Sequence, residues 1–267
     1  MVLTIAGSDS GGGSGLQADL RTFSAQSVHG VCALTVVSSQ NTNEFRSALS
    51  VPASDVRSQI EAVLEDFQIK AVKTGLLHSQ ENIELIGEMA NAELLPSLIV
   101  DPVMVNRHGE LLYDSETIEL IRQRLVPKAL VLTPNHLEAM HILGDDIEDD
   151  IEALSAAALR LMAMGPSVVV VTGGRRDSPS MVDVVAYNGE ISLLEVERCS
   201  TSNVRGTGDT FSAAIASGLA KGRPVLKSVK EAQIFTAGAI RRAASWKLGS
   251  GQGPIDHLGH FNTVGLD

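Results

Sequence analysis

Cysteine is nearly absent from the chain: two residues in 267, Cys32 and Cys199. Both stand in apolar or strand-like contexts, which suits free thiols in a reducing compartment and excludes a disulfide-stapled scaffold. The expected location is cytoplasmic. Basic charge is also short, with 21 Lys and Arg against 32 Asp and Glu and a formal net charge of -11. That balance argues against a general affinity for nucleic acid or anionic lipid, although a local basic site around one phosphate remains compatible with it. Long hydrophobic runs are missing as well. No stretch reaches the ~18 apolar residues of a membrane span, and apolar residues 1–7 run directly into a glycine-rich turn, with no basic n-region and no long h-region. The expected partners are small molecules, with no nucleic acid and no membrane.

What the chain does have is enough apolar material, 44% of residues, to bury a full core. Short runs rich in Val, Ile and Leu at 2–6, 31–37, 71–74, 97–100, 129–133 and 167–172 lack strict alternation, as strands do when both sheet faces are covered. Helical patterns at 16–26, 53–67, 80–91, 115–125, 135–143 and 151–164 lie between them. Alternating strands and helices predict one α/β domain over residues 1–267, with a mostly parallel central sheet flanked by helices on both faces. The rhythm then changes. Runs at 182–187 and 191–196 flank Asn188-Gly189, a dipeptide suited to a type I′ turn, so an antiparallel edge hairpin is expected. Helices are expected at 210–221 and 227–245, and a tail with Gly249, Gly251, Gly253 and Pro254 reads as a surface loop.

Several familiar chemistries are excluded by their missing parts. No Gly-Lys-Ser/Thr completes a Walker A loop, and the seven histidines show no zinc spacing such as His-Glu-x-x-His. Gly-x-Ser-x-Gly fails because Ser14 is the fourth, not the third, residue of Gly11-Gly12-Gly13-Ser14-Gly15. Gly13-x-Gly15-x-x-Ala18 matches a dinucleotide fingerprint, but the second strand ends in Ser38-Ser39-Gln40-Asn41 without the acidic ribose partner. These glycines instead bring backbone close to a substrate, or form a plain tight turn.

Gly206-Thr207-Gly208-Asp209 precedes a small-residue helix, so its N–H groups can converge on an anion. A helix cap by Thr207 or Asp209 is the simpler alternative. A carboxylate beside an anion hole repels phosphate, and general-base work is one reason to keep it there. Asp101 ends a strand at the carboxyl edge of the sheet, where α/β ligands gather. Asn135 and Glu138 follow the next strand three residues apart. They suit a capping box, and with Asp101 they also offer hard oxygen ligands for Mg2+. Lys73 ends the third strand, where solvation is the simpler expectation than a phosphate contact.

Taken together, Ala6-Gly7-Ser8-Asp9-Ser10, Gly15-Leu16-Gln17-Ala18-Asp19-Leu20, Gln40-Asn41-Thr42, Lys73-Thr74-Gly75, Asp101-Pro102-Val103-Met104, Thr133-Pro134-Asn135 and Gly206-Thr207-Gly208 resemble the hydroxymethylpyrimidine/phosphomethylpyrimidine kinases, from residue 1 to about 258. The resemblance implies a ribokinase-like fold, ATP and Mg2+, a role in thiamine biosynthesis, and phosphorylation of a hydroxymethyl group and then of the monophosphate. It implies a pyrimidine pocket of Gly11, Ala18, Gln40, Leu76 and Val103. Asn135, Thr172 and Gly174 would serve the nucleotide, Asp101 and Glu138 the Mg2+, and Gly206, Thr207 and Gly208 the anion hole beside Asp209. It implies a homodimer too. Two positions depart from the family: Asp209 stands where Cys is usual, and Thr172 where Lys is usual. Pyridoxal or pyridoxine phosphorylation is the nearest alternative, and a pyrimidine-binding regulator without catalysis a more distant one.

Overall fold

The first apolar run forms strand β1 (Val2–Asp9), buried along its length except for half-buried Ser8, which explains why its sequence does not alternate. In this computed structural model, which describes residues 1–106, 109–174 and 178–259, α1 (Gly15–Ala25), β2 (Gly30–Gln40), β3 (Phe45–Ser50), α2 (Ala53–Asp66) and β4 (Ala71–Thr74) follow. Next come α3 (Gln80–Asn91), β5 (Leu98–Val100), α4 (Ser115–Arg124), β6 (Val131–Leu132), α5 (His136–Leu143) and α6 (Ile151–Met162). The hairpin region and the closing helices are β7 (Val168–Gly174), β8 (Ser180–Tyr187), β9 (Glu190–Glu197), α7 (Thr207–Ala220) and α8 (Val225–Ala243).

The chain divides into two compact units. One is built from both chain ends, Met1–Leu77 and the chain from Cys199 onward. Its strands run in the order β3-β2-β1-β4, with β2, β1 and β4 parallel and β3 antiparallel on β2. Leu3, Ile5, Phe23 and Ile60 are fully buried in its core. Strand β3 was not expected. It lies outermost in this order and leaves Phe45 and Leu49 exposed, so it lacks the apolar density that marks a buried strand.

The other unit, His78–Arg198, orders its strands β5-β6-β7-β8-β9. The first three are parallel, and β8 and β9 are antiparallel, as the Asn188-Gly189 signal predicts. Both turn residues take positive φ, 51° and 80°, between Tyr187 and Glu190, the geometry that matches strand twist in a two-residue hairpin. Ile83, Ile99, Leu132 and Val168 fill this core. Ser79, Asp114, Asn135 and Asp150 each accept a backbone N–H at the start of a helix, so α3 to α6 begin where a capping residue stops the preceding loop. Among the described residues, no helix is long and apolar enough to cross a membrane.

One loop expectation needs correction. The glycine-rich tail is tied down: Gln252 N–H donates to the Thr42 carbonyl, and Gly253 accepts from Arg205 N–H. Gly253, Ile255, Asp256 and His257 are buried. Gly249 is exposed, Gly251 half-buried and Gly253 buried, and all three allow close packing against Thr42 or Asn203.

Candidate active site

In the two-ended unit, helix α7 starts at Gly206, whose φ of 79° only glycine takes without strain. A Cβ there would lie 2.1 Å from the Gly13 carbonyl oxygen, so the start of α7 and the polyglycine turn meet backbone to backbone. Asp9 locks this turn. Its carboxylate accepts from the N–H groups of Gly11 (2.8 Å), Gly13 (3.1 Å) and Ser14 (3.0 Å), from Ser14 Oγ (2.8 Å), and from Arg205 Nε (2.9 Å). Burial works to raise the Asp9 carboxyl, but Arg205, Ser14 and Gly11 outweigh it and hold it below the usual carboxylate range.

Asp209 sits in the first turn of α7. Its Oδ2 accepts from Gly15 N–H at 2.9 Å and its Oδ1 lies 3.3 Å from Lys73 Nζ. Thr207 is partly engaged: its N–H donates to the Val204 carbonyl at 3.3 Å and its hydroxyl to the same oxygen at 2.6 Å. Gly208 faces open space, where an added Cβ would meet nothing within 4 Å. A helix N-terminus with unpaired N–H groups, an open approach and a fixed carboxylate can bind an anion and take a proton beside it.

Lys73 overturns its expectation. It is fully buried, with Nζ 2.9 and 3.0 Å from the two Asp19 oxygens, on β4, a strand whose four residues are all buried. Burial pushes the Asp19 carboxyl up to about 7, and nearby Asp209 adds to the rise against the opposing pull of Lys73 and the Thr4 hydroxyl.

Of the expected substrate-binding residues, Gly11 and Gln40 come together. A Cβ on Gly11 would lie 3.5 Å from the Gln40 carbonyl oxygen, and Ser10 Oγ bridges to Gln40 by donating to its carbonyl and accepting from its N–H. The Gln40 side-chain amide donates to Ser38 Oγ. Ala18 is fully buried on α1, and half-buried Leu76 follows β4, its carbonyl accepting from Thr35 Oγ1. Gly11 also lines a cavity of about 340 Å³ with Arg21, Trp246, Ile255 and His257, a volume suited to a small ligand. Trp246 and His257 were not foreseen. His257 lies 2.8 Å from Thr210 Oγ1, and burial lowers its ring to about 4, with Arg21 adding to the effect.

The other unit carries Val103, Asp101, Asn135, Glu138, Thr172 and Gly174. Val103 holds a positive φ of 39°, which strains a β-branched residue. The Asn135/Glu138 capping box is complete: Asn135 Oδ1 accepts from Glu138 N–H at 3.1 Å, and Glu138 Oε2 from Asn135 N–H at 2.9 Å. Glu138 Oε1 accepts from Met104 N–H at 2.9 Å. Burial pushes Glu138 up to about 7, and the Asp101 carboxylate pushes the same way. Thr172 bridges Asn135 and donates its N–H to the Pro134 carbonyl at 2.9 Å, while Gly174 pairs with Val182. Two neighbouring buried carboxylates that repel one another fit a divalent cation, which relieves that repulsion. Among the described residues no three His, Cys, Asp or Glu side chains form a metal-binding group, so an ion held by this pair would need water or phosphate oxygens to complete its shell.

The family model for phosphomethylpyrimidine kinase matches residues 9–256. In sequence the chain is similar to the hydroxymethylpyrimidine/phosphomethylpyrimidine kinase of Streptomyces coelicolor, with 40% identity over 257 residues covering 96% of this chain and 94% of that protein. In structure it is similar to Bacillus subtilis pyridoxal kinase in its ADP complex, with a TM-score of 0.89, 36% identity and 96% of each chain covered. It is also similar to phosphomethylpyrimidine kinase from Clostridium difficile, with a TM-score of 0.80, 34% identity, and 90% of this chain and 98% of that one covered.

Proposed function

The chain belongs to the phosphomethylpyrimidine kinase family, and from that membership we propose that it transfers the γ-phosphoryl group of ATP to 4-amino-5-hydroxymethyl-2-methylpyrimidine and then to its monophosphate, in thiamine biosynthesis. The observation that carries this reading is the start of α7, where Gly208 faces open space and Asp209 is fixed by Gly15 and Lys73.

In the transfer, the substrate hydroxyl O–H bond breaks as its oxygen bonds to the γ-phosphorus. The proton passes to Asp209, and the bridging oxygen leaves with its electron pair as ADP. The α7 N-terminal amides stabilise charge on the moving phosphoryl group. Asn135, Thr172 and Gly174 serve the nucleotide. Asp101 and Glu138 would hold Mg2+, directly or through water, and the ion would supply neutralisation of charge on the phosphates. On this reading Gly11, Ala18, Gln40 and Leu76 of the two-ended unit serve the pyrimidine ring, and Val103 is a further substrate-binding residue. Asp209 repels an incoming monophosphate, so the second transfer is slower than the first.

Pyridoxal phosphorylation is a second reading, favoured by the likeness to the Bacillus subtilis pyridoxal kinase. The free thiols Cys32 and Cys199 support a cytoplasmic location, and exposed Phe45 and Leu49 on β3 support a homodimer. The deciding experiment offers purified protein ATP, Mg2+ and either hydroxymethylpyrimidine, its monophosphate or pyridoxal, with products identified by mass. Phosphorylated pyrimidine is the expected product. Turnover of pyridoxal alone transfers the assignment to the second reading, and no turnover with any of the three refutes the kinase reading.

A further inference from the structure

The proposed transfer leaves one buried cluster without a task. Lys73 and Asp19 are both fully buried, and their groups meet at 2.9 and 3.0 Å. Thr4 Oγ1 donates to Asp19 Oδ2 at 2.6 Å, so the Asp19 carboxylate is anchored in the core. One carboxylate suffices to neutralise a buried lysine, and such a pair is weak grounds for stability because apolar replacements often do as well. Stability therefore does not account for Lys73 Nζ also approaching Asp209 Oδ1, at 3.3 Å, on a helix that arrives 136 residues later.

We propose that Lys73 is a positioning residue for Asp209, and that Asp19 keeps it in that role. The inference rests on the reading of Asp209 as general base. Lys73 and Gly15 supply one donor to each oxygen of the Asp209 carboxylate. Two donors on two oxygens fix the plane of the group, so its remaining lone pairs point in one direction when a hydroxyl arrives, and small errors in such alignment are costly in rate. Asp19 takes the shorter contacts to the same ammonium, 2.9 Å against 3.3 Å for Asp209. It holds Lys73 back from closing fully on Asp209, a contact that would stabilise the charged carboxylate and weaken it as a base. Lys73 touches no substrate in this scheme and acts only through Asp209.

Lys73→Met alone strands the Asp19 carboxylate in the core, so the paired variant Lys73→Met/Asp19→Asn, which removes both charges together, carries the test. Circular dichroism and thermal melting first establish that it is folded. The expected result is a kcat lower by about tenfold to a hundredfold, with KM for ATP and for the hydroxymethylpyrimidine within about twofold of wild type. Introduced into Asp209→Asn, the same pair is expected to change the residual kcat by less than about twofold, because a residue acting through Asp209 has nothing left to position. A folded paired variant with unchanged kcat overturns the proposal, as does a full further loss in the Asp209→Asn background. Full turnover by Asp209→Asn alone removes the base assignment itself, and the positioning role with it. Loss in Asp209→Asn beside an unchanged paired variant removes only the positioning role.

Discussion

Asp9 Oδ2 and Arg205 Nε lie 2.9 Å apart, joining residues 196 positions distant in the chain. Asp9 organises the polyglycine turn and Arg205 immediately precedes Gly206, so one ion pair couples two glycine segments that meet at the start of α7. Both side chains are largely withdrawn from water, at 1% and 10% exposure, which makes the loss of one partner costly. Asp9→Ala is expected to lower stability by about 3 kcal/mol, read as a shift in urea midpoint at neutral pH. The Asp9 carboxyl is depressed in the folded state, so its contribution is present above its unfolded value of about 3.9 and lost as pH falls through the folded one. The gap between wild type and Asp9→Ala should narrow in acid, and a gap independent of pH would remove the ionic account.

Gly206 and Gly208 stand two residues apart and should respond differently to alanine. At Gly206 the added methyl meets the Gly13 carbonyl oxygen at 2.1 Å and φ is 79°, so Gly206→Ala is expected to destabilise by more than about 1 kcal/mol. At Gly208 nothing lies within 4 Å, so Gly208→Ala should melt like wild type. Its methyl enters the space assigned to the phosphoryl group, and activity with ATP should fall. Melting curves and steady-state kinetics on the two variants check both halves.

Glu138 gives stability a pH slope of known sign. Its folded value is raised to about 7 from an unfolded value of about 4.3. The stabilisation is therefore fully present below the unfolded value and is lost as pH rises through the folded one. Asp19, also raised to about 7, acts in the same direction. In metal-free buffer, stability should decline between pH 5 and 7, on the order of 2 kcal/mol for Glu138. Glu138→Gln should show a shallower slope in melting temperature over that range, although it is less stable throughout because an amide cannot accept both N–H groups. An unchanged slope in Glu138→Gln would place the titration elsewhere.

The parts of this molecule legible in its sequence are those whose signal is local. The runs that became β1, β4 and β7 stood out because strands covered on both faces need no alternation. The Asn135/Glu138 box could be read from a spacing of three, and the hairpin turn from two residues. Strand β3 was missed because it leaves Phe45 and Leu49 in water and reads like a loop. Lys73 was misjudged because a lysine's surroundings depend on residues 54 positions before it and 136 after it. Trp246 and His257 escaped notice because they flank a glycine-rich tail whose composition suggests exposure, while its backbone bonds to Thr42 and Arg205 draw it inward.

The unit that carries Asp209 contains both Met1–Leu77 and the chain from Cys199 onward, with the other unit spliced between them. On the ribosome, β1, α1 and β4 emerge early, yet α7, which packs on all three, is made only after residues 78–198. The intervening unit has all of its residues out first and can fold while synthesis continues. Until α7 arrives, Lys73 has Asp19 but not Asp209. The inserted half can thus be finished while the half bearing Asp209 still waits for α7 to close it.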